Sequence, residues 1–254
     1  MGNNRKVALV TNFTDYAGPP ALTALVNANF RVLAHDHAVK DADTWRKCSS
    51  MYPEVELLSA KDPRSLIEAA WGVAGRIDAI VSNDHFPAVN SPTPHVSLDQ
   101  LRQTLEKLVV DPFALIQAAI PRFRAQGGGN VVMITSCRTH APMQGGAIPD
   151  AARAAGNALV RSLAIELAPF SIAVNAVAPN FLYSEAYYPR ATFIDDAKGR
   201  DYVRSLVPAG RLGRPEEIGE LICYLASTES RFLTGAIVDF AGGWPAAQTR
   251  PATQ

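Results

Sequence analysis

The chain has 254 residues, 48% of them hydrophobic, and its 24 basic residues are balanced by 24 acidic ones. A chain of this length buries a sizeable core. Its neutrality excludes a basic field for nucleic acid or an anionic membrane surface, and no apolar run approaches the roughly 20 residues of a membrane span. One domain over residues 1–254 is expected. The polar opening Met1-Gly2-Asn3-Asn4-Arg5-Lys6 leads into no hydrophobic region of a secretory signal, so the expected location is cytoplasmic.

Taken in chain order, apolar β-branched runs predict strands at residues 7–11, 31–35, 55–58, 79–82, 130–135, 173–178 and 236–240. Helical patterns fill the gaps at 20–29, 42–51, 63–75, 97–126, 150–168 and 215–227. Pro63 and Pro215 open helices, where a missing N–H costs nothing, and Gly127-Gly128-Gly129 closes the long one. Strands this continuously apolar are covered on both faces. The alternation therefore predicts an α/β fold, a Rossmann-like doubly wound parallel sheet of about seven strands with helices on both faces. Residues 184–200 carry aromatics without a period and are expected to form a substrate lid.

The first strand runs into Thr11-Asn12-Phe13-Thr14-Asp15-Tyr16-Ala17-Gly18, the strand-turn-helix setting of a phosphate loop. Glycines there permit positive φ and close approach of a pyrophosphate to the backbone, and Tyr16 fills that space with a ring. Such a turn argues against NAD(P) and for a smaller occupant. His35-Asp36 stands where a dinucleotide enzyme places its ribose-binding acid, but with the turn blocked Asp36 reads as a loop residue. Cys48, Cys137 and Cys223 show no paired spacing and read as reduced thiols. Cys137 follows Ser136 directly, and neighbours on a strand face opposite ways, so one of the two is expected in a cleft and the other in the core. His85 beside Asp84 is too isolated for a metal site.

Val131-Val132-Met133-Ile134-Thr135-Ser136, Ala151-Ala152-Arg153-Ala154-Ala155, Val174-Asn175-Ala176-Val177-Ala178-Pro179, Arg211-Leu212-Gly213-Arg214-Pro215-Glu216-Glu217 and Leu233-Thr234-Gly235 through Gly242-Gly243 together resemble the short-chain dehydrogenase/reductase superfamily. Within it, Thr11-Asn12 with Tyr16, Ser82-Asn83-Asp84, Pro179-Asn180-Phe181-Leu182 and Arg153 in place of lysine resemble the halohydrin dehalogenase branch. The reductases of the superfamily would carry glycine at Tyr16, asparagine near Leu108, tyrosine at Pro149 and lysine at Arg153; each departure weakens hydride chemistry.

The resemblance implies a lyase without organic cofactor or metal, interconverting vicinal haloalcohols and epoxides plus halide, in a homotetramer paired through the helices at 97–126 and 150–168. Ser136 would hold the substrate oxygen and Arg153 would supply positive charge. The halide pocket would be formed by Tyr16, the turn Pro179-Asn180-Phe181-Leu182 with the amides of Phe181 and Leu182, Tyr187 and Tyr188, with Trp244 closing it, by the family's assembly from a neighbouring subunit. Asn83 would fasten the central strands. The family's tyrosine base falls on Pro149, and no tyrosine occurs between Tyr52 and Tyr183. Candidate substitute bases are His140 and Asp150, and Arg153 would pair with a carboxylate such as Asp150 or bind an anion directly. Three outcomes stay open: a weak dehalogenase, one with a different base, or an inactive relative that binds a small molecule. An NAD(P)H-dependent reductase with an unusual turn is the remaining alternative.

Overall fold

The computed structural model describes residues 5–246; the opening residues Met1 to Asn4 and the last part of the expected domain lie outside them. Among the described residues one parallel sheet runs in the order β3-β2-β1-β4-β5-β6-β7. Its strands are β1 (Val7–Thr11), β2 (Arg31–His35), β3 (Val55–Leu57), β4 (Ala79–Ser82), β5 (Gly129–Ile134), β6 (Ile172–Pro179) and β7 (Ile237–Phe240). Apart from β7 and parts of β2 and β3, these strands are buried along their length, as continuous apolar runs demand of a sheet covered twice.

The covering helices are α1 (Gly18–Asn27), α2 (Ala42–Met51), α3 (Pro63–Ala74), α4 (Leu98–Leu105), α5 (Asp111–Gln126), α6 (Ala147–Leu167), α7 (Ala197–Leu206) and α8 (Pro215–Ser227). One core layer joins Leu66, Ile67 and Trp71 of α3 to Phe123 of α5 and Leu163 of α6. The opposite layer joins Leu22 and Leu25 of α1 to Ile218 and Ile222 of α8.

Three elements differ from expectation. The helix expected over 97–126 breaks into α4 and α5 around a π turn, Glu106–Val110, because Pro112 has no N–H for the Leu108 carbonyl. α6 starts at Ala147 rather than at Asp150, so Pro149 is its third residue and lies within the first turn, where the N–H is surplus. The 184–200 segment is largely helical, with a π turn at Ala191–Asp195 followed by the start of α7, whose first N–H groups the side chain of Asp196 caps.

The chain order reverses between β1 and β4, which opens a crevice at the carboxyl ends of these strands. Asn83, just past β4, closes its base. Its Nδ2 donates to the carbonyls of Asn12 (2.7 Å) and Asp15 (3.0 Å), while Asn12 Nδ2 donates back to the Asn83 carbonyl (3.1 Å). Replacing Asn83 with alanine strands two loop carbonyls, and urea unfolding is expected to show a loss of roughly 2 kcal/mol with the slope of the transition unchanged.

Candidate active site

The β1–α1 turn carries side chains at its two positions of positive φ and keeps glycine at Gly18, where a Cβ would meet the Phe13 backbone. Asn12 and Tyr16 both adopt positive φ, at 47° and 57°, a conformation costing a side-chain-bearing residue about 1 kcal/mol or more. Asp36 holds the turn in that shape. Its Oδ2 accepts hydrogen bonds from the Thr14 N–H (2.9 Å) and hydroxyl (2.6 Å), and its Oδ1 from the Ala38 N–H (2.7 Å). Asp36 is thus buried as a clamp, and its carboxylate is spent on the protein rather than on a ribose.

Tyr16 projects from this turn into a cavity of about 770 Å³. Its ring meets that of Tyr187 edge-on at 5.0 Å and lies 6.1 Å from His85. Burial holds its phenol far above the ordinary tyrosine range, with the positive charge of Arg153 opposing. The superfamily's reductases use a dinucleotide, and these residues do not fit one: a ring stands where the backbone would receive the coenzyme, and the ribose acid is engaged.

Ser136 lies just past β5 on the cavity wall, 6% exposed, its hydroxyl donating to the Pro179 carbonyl (3.0 Å) and accepting from the Arg138 N–H (3.2 Å). Arg153, one helical turn beyond Pro149 on α6, is 7% exposed. Its Nη1 donates to the carbonyls of Asp84 (2.7 Å) and Ile134 (3.3 Å). Ser136, Pro149 and Arg153 all line the cavity together with Tyr16.

The turn after β6 supplies the opposite wall. Pro179, Asn180, Phe181 and Leu182 line the cavity, and Phe181 also takes positive φ, 53°. Of the two amides expected to hold an anion, the N–H of Phe181 donates to Asn180 Oδ1 (3.0 Å), which also accepts from the Tyr188 hydroxyl (2.9 Å). The N–H of Leu182 has no such partner among the described residues. Tyr187 donates to the Phe86 carbonyl at 2.8 Å, which ties the 184–200 segment across the cavity to the loop after β4. Burial pushes the Tyr188 phenol up to about 12. Trp244 of the same chain packs on Phe181 at 5.8 Å and lines the cavity, so no neighbouring subunit is needed to bring an indole there.

Several expectations are corrected. His140 is not a substitute base in the cavity: its Nε2 lies 3.1 Å from Asp239 Oδ2, half-exposed, and it is absent from the cavity wall. Asp150 is taken up by an ion pair with Arg138 and does not pair with Arg153. The expectation for the neighbouring pair Ser136 and Cys137 holds: Ser136 faces the cavity, while Cys137 is fully buried against Ala178 and Ala241, where burial pushes its thiol up to about 12. Among the described residues no cluster has metal-ligand character.

Asp84 is the residue that sequence reasoning passed over. Its carboxyl is buried, with Oδ1 accepting from the Ser82 hydroxyl (2.8 Å) and Oδ2 without a partner. Burial pushes it up to about 7, with Ser82 and Arg153 pulling the other way. In the sequence Asp84 was weighed only as a neighbour of His85, whereas the informative feature was the serine two positions before it.

A family model described as enoyl-(acyl carrier protein) reductase matches residues 23–245. The chain belongs to the short-chain dehydrogenase/reductase superfamily. Human dehydrogenase/reductase SDR family member 4 is 27% identical over 248 residues, covering 94% of this chain and 87% of its own length. An uncharacterized oxidoreductase of Methylorubrum extorquens is 29% identical over 251 residues, 94% of this chain and 97% of its own. Among solved superfamily structures, a dehalogenation enzyme superposes with a TM-score of 0.90 at 35% identity, over 96% of this chain and 100% of that one. Halohydrin dehalogenase (HheC) bound to ethyl (2S)-oxiran-2-ylacetate superposes with a TM-score of 0.93 at 32% identity, over 97% and 100%.

The raised Asp84 fixes a pH dependence. A carboxyl whose folded value lies above its unfolded one binds more protons when folded, so stability falls as pH rises from about 4 to about 7 and levels off above. Asp84→Asn removes that loss. Thermal melts at several pH values are expected to show the variant gaining on the parent chain steadily from pH 4 to 7, with no further gain above pH 8.

Proposed function

We propose that the cavity performs dehalogenase-type lyase chemistry without a nicotinamide, interconverting vicinal haloalcohols and epoxides plus halide. The observation that carries this reading is Tyr16, whose side chain stands in the cavity beside Ser136 and Arg153, where a reductase of the superfamily would need open backbone. The likeness at 35% and 32% identity to two dehalogenases, covering those chains completely, supports it.

In the forward direction the Ser136 hydroxyl holds the substrate oxygen, which attacks the neighbouring carbon as the carbon–halogen bond breaks. The halide leaves with the bonding pair toward Leu182, whose N–H lacks a partner among the described residues, and the aromatic edges around it add positive potential. Residues 184–200, tied across by Tyr187, act as the lid. The hydroxyl proton has no dedicated acceptor among the described side chains and passes to water. Pro149 cannot take it, His140 and Asp150 are engaged elsewhere, and the Tyr16 and Tyr188 phenols are raised by burial. Loss of a general base costs on the order of 10²- to 10⁴-fold, so turnover is slow.

The same vacancy at Pro149 supports a second reading, a non-catalytic relative that keeps the cavity as a small-molecule binding site. Halide release and acidification from a bromohydrin distinguish the two: the lyase predicts slow release that Ser136→Ala abolishes, the binding protein none. Pro149→Tyr restores a base one turn from Arg153 and is expected to raise the rate roughly 10²-fold or more. Tight binding of NADPH in a fluorescence titration would overturn the reading of Tyr16.

A further inference from the structure

Among the described residues the charge on Arg153 has no ion-pair partner. Its Nη1 is satisfied by two carbonyls, but Nε and Nη2 have no hydrogen-bond partner, and no carboxylate lies within ion-pair distance among the described residues. Arg153 is 93% removed from solvent, its unpartnered nitrogens are not among the wholly buried atoms and so face the cavity, and a guanidinium so placed without a paired anion keeps part of its desolvation cost.

The nearby acids do not fill the gap. Asp150 is bound to Arg138. The Asp84 carboxyl, pushed up to about 7 and bonded to Ser82, carries only part of a charge near neutral pH, and Arg153 contacts its backbone carbonyl instead. Around the cavity Arg138, Arg153 and Lys198 face a single acid, Asp196, whose side chain caps α7. After the Arg138–Asp150 pair is set aside, a positive balance remains.

Pro149 leaves the space. Residues 149 and 153 lie four apart on α6, on the same face one turn apart, and the short pyrrolidine at the first leaves the guanidinium edge open to the cavity. We propose that the cavity takes a ligand bearing a carboxylate, which pairs with Arg153 in the space beside Pro149. A guanidinium fork matches a planar carboxylate through two parallel hydrogen bonds, which a spherical halide cannot exploit. A volume of about 770 Å³ exceeds what a halide needs, and Phe86, Leu108, Phe181 and Trp244 provide an apolar wall for the rest of the ligand. This rests on the proposed site for its location and, if that site turns over haloalcohols or epoxides, names the carboxylate-bearing ones as its substrates.

Binding tests it without turnover. Calorimetric titration of the full chain with phenylacetate and with its neutral isostere phenylacetamide is expected to favour the acid by about tenfold or more. Arg153→Met is expected to erase the preference and Lys198→Gln to retain it. Pro149→Glu is a second variant independent of whether Arg153→Met folds: a glutamate in the first turn of α6, one turn before Arg153, supplies the missing anion. It is expected to raise the melting temperature and to abolish phenylacetate binding. Equal affinity for acid and amide, a preference that survives Arg153→Met, one that Lys198→Gln alone removes, or undiminished phenylacetate binding by Pro149→Glu would each overturn the assignment. Halide release from a neutral bromohydrin reads the lyase activity separately, so either result can fail without the other.

Discussion

A buried guanidinium held by two carbonyls organises this site. Arg153 reaches from α6 to the carbonyls of Ile134 and Asp84, at the ends of β5 and β4, and so locks the helix that carries Pro149 onto the two strands that frame the cavity. Hydrogen bonds from a charged donor to carbonyl oxygens are strong in a low-dielectric setting, but they leave the charge itself unbalanced. The cavity is left with a positive balance, and Asp84 stays partly neutral through burial although Arg153 pulls against it.

The second constraint is the turn after β1. The turn carries positive φ at Asn12 and Tyr16, held by hydrogen bonds from its neighbours. Asp36 clamps Thr14, Asn83 fastens Asn12 and Asp15, and the strain of Tyr16 is borne by these bonds. Strained non-glycine residues collect at functional sites because surrounding structure over-determines them. Here Asn12, Tyr16 and Phe181 lie in the loops beside the cavity, while the other two non-glycine residues of positive φ, Asn29 and Ser171, lie elsewhere.

Superfamily membership and local chemistry pull in different directions. The similarity to oxidoreductases spans 94% of the chain, and one scaffold can serve many chemistries. Tyr16 follows the carboxyl end of β1, where a doubly wound sheet places its ligands, and Pro149 and Arg153 reach the same cavity from α6.

The sheet was legible because period and composition are local. Apolar β-branched runs separated by helical patterns placed all seven strands within a residue or two, and α2 and α8 at their ends, while the break in the long helix escaped notice although Pro112 marked it. The ring at Tyr16, the serine at 136 and the proline at 149 were equally plain, since each is a residue type at a motif position. Partners were not. That His140 meets Asp239, Asp150 meets Arg138, and Phe181's amide meets Asn180 depends on which segments packing brings together, over separations that no pattern in the chain encodes. The sequence by itself determined the fold and which side chains were available for chemistry; only the tertiary structure decided which of them were already engaged and which, like Arg153, were left facing the cavity, because pairing is a property of proximity in space.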